Sequence, residues 1–585
     1  MNETTKFGER SLAAAAQFLQ TAVVIDDRAF RSDVATSEPI QELIAPDSLA
    51  TANVLGDNIA EVAKYTGAVD PNPHGIDAPV VIDAFADLGI VCSVLRREPD
   101  EDLTTLSDRA HKLSMASDIS IVDWQVRNAD GSDSHEETLR FLESAVAANI
   151  ESNPEQLRLI IVYTGTLDLD DVATEISTRL HRFEGFASDA KHQFAFSVGV
   201  IRLVIIGKPS KKRVAAFIPY QVDDDAELPE RAVKEFASMT TGLVSNVAVV
   251  ALAEIRKATH RLLTRFGSEL DPPFLAHRAL LAPPSEGNDQ LLPLIVSEIE
   301  AILEDKVPQD LLSDETILDW LDTRPDILHL IESAPHITTE EAARVMVKEL
   351  CTKGVNEHAA FTVPDEPTWI KKLAKDKKEA VAYIGKLTDL IGGETFQSSN
   401  ETLELLMSIR SRYGERPPML TLGTLLKLEG QRRPRRRHRQ HRPRVRMFRK
   451  GIEDQGASYW LCLQPVCDAY VRTGLRRQFP LLELKPTEDR FNLIATDGEK
   501  VIRLRWEPKP YKVRMVEFEA NSKSKAVEAS VVENTFSFRP TNLSSHFKWL
   551  GQLKPPQAQR VAQALSAEAG RIGLTESEWL RRNAK

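Results

Sequence analysis

Four apolar, β-branched runs in the first 210 residues each end in a residue that could do chemistry. They are Val23-Val24-Ile25-Asp26-Asp27, Ile121-Val122-Asp123, Val162-Tyr163-Thr164-Gly165 and Ile206-Gly207-Lys208-Pro209. If these runs are neighbouring strands, three carboxylates, one hydroxyl and one ammonium share a single rim. Carboxylates packed together repel one another, and a divalent cation resolves that repulsion. Mg²⁺ takes oxygen ligands and keeps several waters, so two carboxylates and a carbonyl are enough to hold it. It can bridge an incoming phosphoryl group, and an aspartate carboxylate is a competent nucleophile toward phosphorus. Lys208 would meet the phosphoryl oxygens as a point charge, and Thr164 would donate a hydrogen bond to one of them.

The elements that must position these residues follow from periodicity. Residues 21–27, Ile90–Leu95, Ile119–Val122, Leu157–Tyr163 and Ile201–Ile206 read as strands buried on both faces. Helical spacing recurs between them at 77–88, 102–115, 135–150 and 169–180, with Gly89 closing the first helix. Strands alternating with helices predict a parallel sheet covered on both faces, and ligands bind such sheets at the strand C-termini. The polar stretch 31–75 reads as an insertion.

The order of these motifs resembles the receiver domain of two-component response regulators, over roughly residues 20–225. The resemblance implies a flavodoxin-like, parallel five-stranded α/β domain. It implies Asp26 and Asp27 as metal-binding acids, Asp123 as phosphoacceptor, Thr164 as switch hydroxyl and Lys208 as the phosphate-sensing lysine. Gln125, two residues past the acceptor, would offer its backbone carbonyl to Mg²⁺. A histidine kinase or phosphotransfer protein would be the phosphodonor partner, and autodephosphorylation the only turnover. The chain departs from the pattern in three ways. The Asp27–Asp123 and Thr164–Lys208 gaps are long, Trp124-Gln125-Val126 replaces the usual Met-Pro, and Ile205 stands where an aromatic commonly precedes the lysine. Trp124 and Tyr163 are the candidates for a different aromatic response.

A chain of 585 residues exceeds one core. The expected division is a receiver over 1–225 with an insertion at about 30–76, a helical domain over 226–415, and a β-rich α+β domain over 416–585. The helical domain includes one long helix at 229–266, with further helices near 289–304, 313–322, 339–352, 369–390 and 400–412. The last domain carries strands at Met419–Leu428, Tyr459–Leu463, Phe479–Leu484, Phe491–Ala495, Val501–Trp506, Lys512–Phe518 and Thr535–Phe538, a basic loop at 431–450, and terminal helices at 555–571 and 575–582. The longest apolar run, Gly242–Ile255, is short and carries Asn246 and Glu254, so no membrane span is expected. The N-terminus lacks a signal-peptide pattern, and four cysteines without framework spacing suit a reducing compartment, so a cytoplasmic location is expected.

The net charge is −12, but Arg432–Lys450 holds ten Arg and one Lys, so the rest of the chain carries −23. That segment could meet nucleic-acid phosphates, or dock on the acidic remainder or on a partner; Pro434 and Pro443 oppose a regular recognition helix. Cys462 and Cys467 with His438 and His441 number four zinc-type ligands, against the simpler reading of two buried core cysteines. His260 lacks the acid that usually follows a phosphotransfer histidine, and Asp223-Asp224-Asp225 reads as a solvated turn. No hydrolase, nuclease or cyclase motif follows residue 220. The reading is a response-regulator-like protein in which an aspartyl phosphate controls the later domains. The alternatives are a degenerate receiver used as a docking scaffold, and a nucleic-acid-binding effector acting through the Arg segment. The chain resembles insertion-bearing bacterial receivers with large C-terminal regions, some belonging to phage-defence systems. A homodimer is compatible with either reading.

Overall fold

The computed structural model describes residues 5–27, 29, 75–96, 103–127, 133–152, 155–281, 284, 286–324, 348, 351–352, 362–363, 366–367, 396–414, 416–429, 458–471, 474–488, 491–498, 500–532, 535–543 and 545–569. The insertion up to residue 74, the basic loop 431–450 with His438 and His441, and the expected helix 575–582 lie outside them. So does most of the expected helices 339–352 and 369–390. The chain divides into two compact units, Met1–Thr259 with Ala301–Arg324, and His260–Glu300 with Pro325–Lys585.

In the first unit, Thr5 opens α1 (Lys6–Phe18) by accepting the Gly8 N–H at 3.1 Å. There follow β1 (Thr21–Ile25), α2 (Ala78–Asp87), β2 (Val91–Leu95), α3 (Leu103–Ala116) and β3 (Ile119–Asp123). Next come α4 (Glu136–Glu151), β4 (Arg158–Thr164), α5 (Leu169–Leu180), β5 (Phe186–Ser188), β6 (Ala195–Val198) and β7 (Ile201–Gly207). The helices α6 (Leu228–Thr240), α7 (Leu243–Leu263), α8 (Asp271–Ala279), α9 (Glu286–Lys306) and α10 (Asp314–Asp322) come next in the chain; α8 and most of α9 belong to the second unit. The sheet order is β2-β1-β3-β4-β7-β6-β5. Its first five strands are parallel, as the five-stranded expectation requires.

Two antiparallel strands extend the β7 edge, and they account for the long Thr164–Lys208 gap. Gly199 turns β6 into β7 opposite Gly185, which precedes β5; the two have φ of +57° and +81°, and a Cβ on Gly185 would stand 3.2 Å from the Gly199 nitrogen. The single helix expected over 229–266 is two helices, because Thr241 takes φ −63° and ψ 117° and leaves the helical region.

Strand pleating sorts the side chains onto two faces. Val24, Ile121, Ile161 and Ile206 join Ala15 of α1, Phe85 of α2 and Phe236 of α6 in one core. Val122, Val162 and Ile205 join Leu142 of α4 and Ile176 of α5 in the other. Each such buried aliphatic side chain contributes about 1.5–3 kcal/mol. The same alternation carries Asp26, Asp123, Tyr163 and Lys208 onto the first face.

The second unit is built on a nine-stranded sheet. α11 (Phe396–Ser408) precedes β8 (Thr424–Glu429), β9 (Ser458–Cys462), β10 (Arg476–Pro486), β11 (Leu493–Asp497), β12 (Lys500–Arg505) and β13 (Val513–Glu519). β14 (Ser530–Val532), β15 (Thr535–Phe538), β16 (His546–Gln552) and α12 (Pro555–Ala569) follow. The order is β11-β12-β10-β9-β8-β16-β15-β14, with β13 on β10. Leu426, Cys462, Phe479, Phe518 and Phe547 fill one core; Leu425, Leu461, Leu482 and Leu504 meet Ala558 and Val561 of α12 in another. Burial pushes the Cys462 thiol up to about 12, which suits a core cysteine.

At the strand N-termini of the first unit, Asp118 accepts from the Gln20 and Thr21 amides at 2.9 and 3.0 Å. Arg256 of α7 pairs with both its carboxylate oxygens, at 2.9 and 3.0 Å. Asp118→Ala strands two amides and leaves the Arg256 guanidinium with Gln20 Oε1 and the Phe18 carbonyl but no counter-charge from Asp118. It should lower stability by about 2–4 kcal/mol, read as a shift in the denaturation midpoint of the first unit.

Candidate functional site

The C-terminal ends of β1, β3 and β7 bring Asp26, Asp27, Asp123 and Lys208 together. Ligand oxygens of the three carboxylates lie within 4.8 Å of one another. Lys208 Nζ lies 2.9 Å from Asp26 Oδ2 and 3.0 Å from Asp123 Oδ1. Asp26, Asp123 and Lys208 are 2%, 4% and 3% exposed, so these charges interact with little water between them.

Burial pushes the Asp123 carboxyl up to about 7; Lys208 draws it down, while Asp26 and Asp27 raise it further. Lys208 shows the opposite balance. Burial opposes its charge, but Asp123 and Asp26 outweigh that and hold it above the ordinary lysine value. Asp123 Oδ2 is buried with no hydrogen-bond partner among the described residues. An all-oxygen donor set, an excess of negative charge and an unbonded carboxylate oxygen fit a hard divalent cation.

Neighbouring groups fix Asp123. Thr138, in the first turn of α4, donates its hydroxyl to the Asp123 carbonyl at 2.8 Å. Trp124 turns to the opposite face, into the second core, and stacks on the His135 ring at 5.0 Å. His135 Nε2 reaches Glu175 at 2.8 Å. Thr164 is fully buried at the end of β4, beside Gly207 in register, and its hydroxyl accepts the Thr166 amide at 3.0 Å. Gln125 lies just past β3, before the two-residue ladder of Val126–Arg127 with Asp133–Ser134.

Two participants escaped the sequence reading. Arg213 is buried, and its guanidinium donates to the carbonyls of Thr166, Thr164 and Lys208 at 2.8, 3.3 and 3.4 Å and to Gln221 Oε1 at 2.9 Å. It ties the loop carrying the threonine to the loop carrying the lysine. A Cβ at position 207 would stand 2.6 Å from its Cζ, so a side chain there would push the guanidinium off these carbonyls. In sequence, Arg213 hides in the charge run Lys211-Lys212-Arg213. The second is Asp225. Asp223 and Asp224 are solvated, as expected of the acid run, but Asp225 turns inward and accepts the Tyr163 hydroxyl.

Residues 18–213 match the family model described as a response receiver domain. That segment is a receiver domain. No curated protein and no solved structure matches the chain. The match ends at Arg213, the residue that closes the loops of the receiver's acidic pocket. No described helix is long and apolar enough to cross a membrane.

Two outcomes follow for the receiver. Arg213→Met takes the guanidinium away from three carbonyls, of which that of Thr164 keeps the Lys208 amide at 2.7 Å, and amide exchange at 164–168 and 208–213 should quicken at least about fivefold. The Asp123 carboxyl, raised in the folded state, holds a proton that the unfolded chain releases at about pH 4. The metal-free fold therefore loses stability as pH rises from about 4 to about 7. Asp123→Asn, which keeps the Asp26–Lys208 pair, should lack that component. Melting temperatures of both proteins in chelator, measured across this range, should converge at the acid end and separate toward neutrality in favour of the variant.

Proposed function

We propose that this protein is a response-regulator-like signalling protein that accepts a phosphoryl group on Asp123, and that the phosphorylated state controls the helical and β-rich regions that follow. The observation carrying this reading is the triad of carboxylates with a buried lysine spanning two of them. A carboxylate oxygen of Asp123 attacks phosphorus as the bond to the donor breaks. The donor is the phosphoimidazole of a histidine kinase or phosphotransfer protein, or an acyl phosphate. The electron pair returns to the leaving nitrogen or oxygen, and an imidazole takes a proton from solvent. Asp26 and Asp27, with the Gln125 carbonyl, would hold Mg²⁺, which when bound offsets the charge of the acids and of the phosphoryl oxygens.

The chain's own groups do the rest. Lys208, 3.0 Å from Asp123, is placed to follow the new negative charge onto a phosphoryl oxygen. Thr164 uses its hydroxyl oxygen as an acceptor, so its proton is left to donate to the phosphoryl group. Attack of water on phosphorus would return the carboxylate and release phosphate. Thr138 holds the Asp123 backbone in place throughout.

Incubation of the full chain with acetyl phosphate and Mg²⁺ should give one hydroxylamine-labile phosphoryl group per chain. Asp123→Asn, or removal of the cation with chelator, should reduce labelling at least about a hundredfold. Equal labelling of wild type and Asp123→Asn, or none in the wild type, would sink the proposal.

A further inference from the structure

Lys208 has a third neighbour besides its two carboxylates. Its Nζ stands 5.5 Å from the centroid of the Tyr163 ring. Tyr163 pairs with Asp123 across the β3–β4 ladder and with Ile206 across β4–β7, which sets its ring between the acceptor strand and the lysine strand. The ring is fully buried, and its hydroxyl donates to Asp225 Oδ1. The other oxygen of Asp225 accepts the Asp77 amide at 3.0 Å. Asp77 is the residue that caps α2, accepting the Val80 N–H. Asp225 itself opens the short turn Asp225–Glu227 that runs straight into α6.

A phenol that donates to a carboxylate gains electron density, and a more negative ring face attracts an ammonium more strongly. The carboxylate in turn is fixed by the start of one helix and the approach to another. Packing alone would be served by any apolar ring at this place. A hydroxyl aimed at a part-buried acid, beneath the cation that touches Asp123, does more than fill space.

From this continuous set of contacts we infer that Tyr163 and Asp225 are a positioning pair: they hold Lys208 for the chemistry at Asp123 and link its movement to the starts of α2 and α6. The inference rests on the phosphoacceptor reading above. When the charge at Asp123 changes, Lys208 is drawn toward it and away from the ring. The grip of Asp225 on the Asp77 amide and on the turn before α6 changes with it.

The test uses the full chain, with acetyl phosphate and Mg²⁺ for rates and beryllium fluoride with Mg²⁺ as a stable phosphoryl mimic. Tyr163→Phe and Asp225→Asn should each lower the saturating rate of Asp123 labelling about tenfold, leaving the half-saturating acetyl phosphate concentration unchanged. The double variant should be no slower than either single one, where independent effects would multiply to about a hundredfold. Beryllium fluoride should alter amide exchange at 77–81 and 225–232 in the wild type and not in the variants. Should Tyr163→Phe fail to fold, Asp225→Asn carries the test alone through the same rate and exchange readouts. Labelling and exchange responses at wild-type levels in the variants overturn the inference and leave the phosphoacceptor reading standing. A wild type that takes no label overturns both.

Discussion

One ammonium, buried 2.9 Å from Asp26 and 3.0 Å from Asp123, offsets one of three carboxylates crowded at the ends of β1 and β3. Such a cluster is costly. Desolvation of each ion outweighs much of the attraction between them, and the third carboxylate adds repulsion. The arrangement persists only because the surrounding fold gives these groups nowhere else to go. Parallel strands with continuous apolar runs fix the direction of each strand end. Helices α2 and α6 cover one face of the sheet beneath the charges, and α4 and α5 the other. The cost is held in the site, and any ligand that adds positive charge or redistributes the negative charge releases part of it.

The loops above the charges are tied with comparable care. A buried guanidinium that gathers three carbonyls is a rigid staple, and it leaves the Thr164 loop and the Lys208 loop unable to part independently. Gly207 is part of that staple, since any side chain there would meet the Arg213 guanidinium. Strand β6 of the extra hairpin pairs with Ile201–Val204 of β7, and Gly207 bridges Gln221, so the strand that delivers Lys208 is flanked on both sides. The position of the lysine is thus over-determined from both sides.

Much of this was legible in the residues, for a physical reason. Doubly buried parallel strands must be apolar along their whole length, so Asp26, Asp123, Thr164 and Lys208 stand out as polar terminators of apolar runs. The β-rich region was readable strand by strand, as at Tyr459–Leu463, because alternate residues feed two cores. What escaped was short or masked by its neighbours. β5 and β6 have three and four residues and look like loop. β14 and β16 were missed as well, the latter pairing with β8 across a register shift at Leu425/Leu426. The break at Thr241-Gly242 interrupts a periodicity that reads smoothly through it. Arg213 and Asp225 sit inside runs of like charge, and composition cannot tell which member of a run turns inward; only the partners waiting inside, three carbonyls and a phenol, make that choice.

Size matters to whether such a site can govern anything. Driving a two-state equilibrium from 1:99 to 99:1 needs about 5.5 kcal/mol of differential binding. A solvent-exposed ion pair supplies at most about 1 kcal/mol and is screened by salt. A charge change at Asp123 acts where water is excluded and four ionisable groups already crowd together, and breaking one buried pairing there is worth about 3–5 kcal/mol. Burial of the lysine, the feature that most burdens the fold, is therefore what would give a single covalent event at Asp123 more leverage than any exposed ion pair could supply.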